Sequence, residues 1–167
     1  MVNEDYGYIH KIENFAFKKH FIEGCQKLQD LNFMLFIVTN QSGLGRGIFD
    51  EQQYNCLTNY YNDQLKKNGV FIKEIVYCPH SPSDNCKCRK PKSYMVDQLV
   101  ERYNISRSHS AMIGDKKSDL ECAKRANLRF KFFVRSPDES YKTNDDAYVV
   151  SNLLEVVTFF KTQGFFN

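Results

Sequence analysis

Six consecutive apolar residues, Phe33-Met34-Leu35-Phe36-Ile37-Val38, interrupt a chain that is otherwise rich in polar side chains. A run this short and this uniformly apolar reads as a β-strand buried on both faces. Such a strand needs helices on either side, which restricts the fold to a layered α/β architecture. The flanking pattern agrees. Phe17, Phe21, Cys25, Leu28 and Leu31 recur every three or four positions and predict an amphipathic helix over 18–31. Asp50 with Gln53 forms a capping-box pair that starts a second helix through Leu57 and Leu65, and Gly69 stops it.

The same alternation continues to the end of the chain. Strands are expected at 72–77, 111–113, 130–134 and 148–150, and helices at 93–103, 118–126 and from a Ser151 cap to about 161. The resulting expectation is a Rossmann-like, mostly parallel sheet with helices on both faces. Phe165-Phe166 reads as a frayed or docked tail. At 167 residues the chain suffices for one domain with its own core, taken as 1–167. Its 23 basic and 20 acidic residues leave a net charge of +3, too mild and too scattered for a nucleic-acid surface. No run reaches the ~20 apolar residues of a membrane span, and the opening MVNEDYGYIHK carries no signal-peptide core. A soluble cytoplasmic protein is expected, with neither membrane nor nucleic acid as partner.

In open parallel sheets, ligands sit beyond the carboxyl ends of the strands. That rule selects 39–46, 78–90 and 114–117, where polar residues break the pattern. In the irregular segment 78–91, Cys78, His80, Cys86 and Cys88 offer three thiols and an imidazole, the ligand types and number of a closed structural Zn²⁺ site. Incidental cysteines beside an exposed histidine, or redox chemistry at Cys86-Lys87-Cys88, are the competing readings. Cys25, Cys56 and Cys122 fall in helical patterns and read as core.

Asp115, directly after the strand at 111–113, is placed to hold Mg²⁺ through oxygen, with Lys116 beside it for phosphate. Asp119 reads equally as a first-turn acid favouring the helix dipole. Thr39, Asn40, Gln41 and Ser42 supply hydroxyl and amide donors suited to phosphoryl oxygens. Arg46 reaches either a substrate phosphate or solvent, and Arg89-Lys90 is either a phosphate grip or a solvated pair. Gathered on one crevice, these segments favour phosphate chemistry.

In this order the residues resemble the haloacid-dehalogenase-like (HAD) phosphatase superfamily, in particular its heptose-bisphosphate and histidinol-phosphate phosphatases. The resemblance runs over nearly the whole chain, through Gly7-Tyr8-Ile9-His10, Val38-Thr39-Asn40-Gln41-Ser42-Gly43, Gly45-Arg46-Gly47, Tyr77-Cys78-Pro79-His80, Cys86-Lys87-Cys88-Arg89-Lys90-Pro91 and Ile113-Gly114-Asp115-Lys116. It implies a Mg²⁺-dependent phosphomonoester hydrolase, with a heptose 1,7-bisphosphate favoured as substrate and histidinol phosphate as the alternative, and a monomer. Thr39 would bind the transferring phosphoryl group, Arg89 and Lys90 would be its cations, and Asp115 the Mg²⁺ ligand. Arg46 and Lys116 would grip a second phosphate, and the cysteine–histidine loop would hold structural zinc.

One part of the resemblance fails. The superfamily's first strand ends in DxDG, whose first aspartate is the nucleophile and whose second is the general acid/base. Its place falls upstream of Met1, and Glu4 and Asp5 follow no apolar strand. The expectation is therefore a sheet lacking its central strand and a chain nearly inactive as written. Either the start is assigned late, or the protein is a zinc-stabilised pseudophosphatase that only binds a phosphorylated ligand.

Overall fold

The computed structural model describes residues 2–3, 7–135 and 147–163. Asp5 and Phe165-Phe166 lie outside them. In chain order the elements are α1 (Phe21–Asp30), β1 (Leu35–Asn40), α2 (Ser42–Gly45), α3 (Glu51–Lys67), β2 (Ile72–Cys78), α4 (Tyr94–Tyr103), β3 (Ala111–Gly114), α5 (Lys117–Arg125), β4 (Phe130–Val134), β5 (Tyr148–Val150) and α6 (Leu153–Thr162). The pairings between these strands are parallel, in the orders β1-β2 and β3-β4-β5, and an isolated antiparallel bridge joins Asn3 to Phe17. The α/β expectation holds.

Local chemistry explains most boundaries. The Asp50 side chain accepts from the Gln53 N–H at 2.7 Å and the Gln53 side chain accepts from the Asp50 N–H at 3.0 Å, so α3 starts on a complete capping box. It ends before Gly69, which adopts a left-handed φ of 71°. After β1, Ser42–Gly45 forms the short α2, which no apolar period marks. Two expectations are corrected. The cap of α6 is Asn152, whose side-chain oxygen accepts from the Leu154 N–H at 2.8 Å, while Ser151 donates its N–H to Glu155. Cys25 and Cys122 are buried, but Cys56 is exposed on α3.

Two cores cover the two faces of the strands. Phe21, Leu28, Leu57, Leu65, Phe132, Val156 and Phe160 form the larger one, joining α1, α3 and α6, with Ile37 of β1 in it and Ile113 of β3 packed against it. Val96, Cys122, Ala123 and Leu128 form the smaller one beside α4 and α5, with Val38 and Met112 against it. Successive strand residues point to opposite faces, and β1 and β3 divide their side chains between the same two cores. The two sheets are therefore halves of one layer. Between them, among the described residues, no strand lies. Instead a cavity of about 940 Å³ is lined by all of 35–40 on one side and by 111–113 on the other. Among the described residues the strands thus form two separate sheets. No helix of the described residues is long and apolar enough to cross a membrane.

Candidate active site

The carboxyl ends of β1 and β3 open at the same end of this cavity, and the predicted phosphate-binding side chains collect there. Thr39, Asn40, Gln41, Ser42, Arg89, Lys90, Asp115 and Lys116 all line it. Thr39 accepts a hydrogen bond from the Gln41 amide at 3.1 Å. Asn40 is committed elsewhere: its amide donates to the Lys90 carbonyl at 3.1 Å and accepts from the Lys90 N–H at 3.0 Å. It clamps the Lys90 backbone to the end of β1 between positions fifty apart in the sequence. Arg89 donates to the His80 carbonyl at 3.2 Å. Arg46 is exposed just after α2 and is not brought to the cavity wall.

Lys90 is the centre of the cluster. Its ammonium lies 2.6 Å from Asp119 Oδ1 and donates to the Val38 carbonyl at 2.6 Å. Both side chains of the ion pair are nearly buried, at 11% and 8% exposure. The other oxygen of Asp119 accepts from the Lys116 N–H at 3.1 Å. Asp119 is therefore more than a first-turn acid; it anchors Lys90 and the start of α5 together. A Cβ on Gly114 would come within 2.3 Å of Asp119 Cβ, so only glycine lets the aspartate fold back on the strand end. Sequence reasoning undervalued Asp119, although its four-residue spacing from Asp115 was the available signal. It missed Lys18 altogether, whose ammonium sits 3.3 Å from Asp115 Oδ2, and nothing in the sequence pattern links those two positions.

Burial alone would raise the Asp115 carboxyl; nearby cations, Lys18 among them, more than offset it and hold the group below the usual carboxylate range. It is thus an ionised oxygen ligand at a strand end, already neutralised by a cation. That donor set fits Mg²⁺, which takes one or two protein carboxylates and completes its shell with water and phosphate.

The cysteine–histidine loop follows β2. Cys78 Sγ, His80 Nδ1, Cys86 Sγ and Cys88 Sγ all lie within 4.8 Å of one another. The closest approaches run from 3.2 to 3.6 Å. A tetrahedron with bonds of ~2.3 Å has edges of about 3.7 Å, so four donors in this arrangement fit Zn²⁺ and leave no open position. The loop is also braced by the protein itself. The Asp84 carboxylate accepts from the Ser81 N–H at 2.7 Å and hydroxyl at 2.9 Å, and the Lys92 ammonium donates to the carbonyls of Asn85 and Cys86 at 3.1 and 2.7 Å. Gly45 of α2 abuts it so closely that a Cβ would lie 2.6 Å from the Ser81 nitrogen. Cys88 immediately precedes Arg89 and Lys90, so the cysteine cluster and the two cavity-lining cations share one short segment.

Comparison with known proteins decides the family. A D-glycero-alpha-D-manno-heptose-1,7-bisphosphate 7-phosphatase of Photorhabdus laumondii is 36% identical over 163 residues, covering 93% of this chain and 89% of the relative. The chain belongs to the HAD-like phosphatases. The D-glycero-beta-D-manno-heptose-1,7-bisphosphate 7-phosphatase of Escherichia coli K12 is 34% identical, covering 97% of this chain and 90% of its own. A family model described as HAD-hydrolase-like matches residues 87–156. Among solved structures, the D,D-heptose 1,7-bisphosphate phosphatase of B. bronchiseptica, complexed with magnesium and phosphate, superposes with a TM-score of 0.86 at 24% identity. It covers 98% of this chain and 94% of its own, and so shares the HAD fold.

Proposed function

We propose that this HAD-like phosphatase grips the phosphoryl groups of a heptose 1,7-bisphosphate. The hydrolytic step would await a carboxylate held between β1 and β3. One observation carries the reading: Thr39, Lys90, Asp115 and Lys116 converge at the carboxyl end of a single cavity. Thr39 would donate its hydroxyl to a phosphoryl oxygen. Lys90, held by Asp119, would lay a fixed positive charge against the same group, and such preorganised charge is the main stabiliser of phosphoryl transfer. Asp115 would hold Mg²⁺, which supplies charge neutralisation on the phosphoryl oxygens when bound. Arg89 and Lys116 would contact the sugar's further oxygens, and Arg46, outside the cavity wall, would meet a second phosphate. The cysteine–histidine loop would keep Zn²⁺ as a structural ion.

The relatives' names favour the heptose bisphosphate over histidinol phosphate. The divided sheet favours a second reading beside hydrolysis, in which the chain binds the phosphorylated sugar without cleaving it. Titration calorimetry tests the shared part. Heptose 1,7-bisphosphate is expected to bind in the presence of Mg²⁺ more tightly than histidinol phosphate, and Thr39→Ala to weaken it about tenfold or more, as for a hydrogen bond to a charged group. Absence of Mg²⁺-dependent phosphate binding would defeat both readings.

A further inference from the structure

Two carboxylates line the carboxyl end of the cavity, and each is paired with a lysine in a different way. Asp119 and Lys90 meet at 2.6 Å with both side chains nearly buried. The Lys90 ammonium also donates to the Val38 carbonyl, and both Asp119 oxygens are engaged, one by Lys90 and one by the Lys116 N–H. That pair is sealed, and opening it would strand two charges. Asp115 and Lys18 meet at 3.3 Å, with 19% and 29% of their side chains exposed. Water is at hand for both charges of this second pair, so it opens at little cost.

The start of α1 brings Lys18 to this place. Phe17 packs against the larger core and stacks on Phe21 with ring centroids 5.8 Å apart, and the Lys18 carbonyl accepts from the Phe21 N–H at 3.0 Å. The backbone of Lys18 is therefore fixed, while its four-carbon stem turns readily and carries a compact charge. Lys19, next in the chain, is exposed. The fold thus delivers one particular ammonium to a carboxylate 97 positions away.

We propose that Lys18 is an internal counter-ion that competes with Mg²⁺ for Asp115 and so sets how tightly the site takes the metal. The inference rests on the reading of Asp115 as the Mg²⁺ ligand. A carboxylate beside an ammonium is already neutralised. A dication approaching the same oxygens either shares them with a like charge or drives the ammonium out into water, and both weaken its binding. The longer, half-open geometry of the Lys18 pair makes the exchange possible, whereas Lys90 is held by a second acceptor and stays on Asp119. Lys18 is in this sense a positioning and tuning residue, acting on the metal through Asp115 alone.

Titration calorimetry with Mg²⁺ alone, on the full chain and four variants, tests this. Lys18→Met removes the charge and should tighten Mg²⁺ about tenfold. Lys18→Arg keeps the charge and should bind Mg²⁺ no more tightly than the unmodified chain. Lys19→Met makes the same change in net charge at the exposed neighbour and should leave the affinity within about twofold, because solvent screens that position. Asp115→Asn should abolish binding. In the unmodified chain, the carbon-13 signal of the Lys18 ε-methylene should shift as Mg²⁺ is added. A signal that ignores Mg²⁺ would overturn the proposal without recourse to any variant. Unchanged or weaker binding by Lys18→Met, with Asp115→Asn still abolishing it, would overturn the counter-ion and leave Asp115 as the ligand. Equal tightening in Lys18→Met and Lys19→Met would show a diffuse charge effect and overturn it too. Mg²⁺ bound equally well by Asp115→Asn, or by none of the proteins, would defeat both this proposal and the metal role of Asp115 on which it rests.

Discussion

Lys90 shows how much of the site depends on single residues. Its charge is nearly buried and held by Asp119, with Asn40 fixing its backbone. Removing one partner of a buried ion pair strands the other charge, a loss of about 3–5 kcal/mol, whereas removing both is much cheaper. Asp119→Ala is therefore expected to lower stability by about 3–5 kcal/mol in urea unfolding. Lys90→Met combined with Asp119→Ala should cost clearly less than the sum of the single changes. Additive losses would show that the pair is not coupled. Asn40→Ala should loosen Lys90 without touching phosphate: affinity for phosphate falls while the pair with Asp119 persists. In the core, Phe132 is fully buried and Phe160 is 2% exposed, so Phe132→Ala should cost about 3–5 kcal/mol in the same measurement.

At the scale of elements, the cysteine–histidine loop joins two parts of the site. It brings four candidate metal ligands together and delivers Arg89 and Lys90 to the cavity within two residues of Cys88. One zinc per chain is expected by elemental analysis, and Cys88→Ser should release it and weaken phosphate binding together. A zinc-free variant with unchanged phosphate affinity would show that the loop does not position the cations. Because thiolates and neutral imidazole are the binding forms, zinc should also be lost as pH falls. Most elements were legible from sequence for plain reasons. The 33–38 run, the Asp50 capping box and the 3.6-residue apolar periods each have one physical reading, and the structure bears them out with small shifts at the ends. The ligand cluster was legible because its spacing is short. What escaped was non-local. Asn40 turning back to Lys90, Lys18 reaching Asp115 and Asp119 pairing with Lys90 all join positions whose proximity is created by the fold, and α2 is too short to leave a period. Cys56 misled because a helical period alone does not say which side of α3 faces the core.

The whole molecule is dominated by its divided sheet. An apolar strand placed between the two sheets would bury apolar walls of this cavity, and a chain carrying one ahead of Val2 is expected to melt several degrees higher. The same addition addresses function, because a carboxylate at the end of that strand would meet Thr39, Lys90 and Asp115 at once. The most direct measurement is Mg²⁺-dependent phosphate release from heptose 1,7-bisphosphate by three proteins: the 167-residue chain, the chain preceded by an apolar strand ending in Asp-x-Asp-Gly, and that same form with the first aspartate changed to asparagine. The account predicts negligible release from the first and third and robust release from the second. Equal release from all three would contradict it.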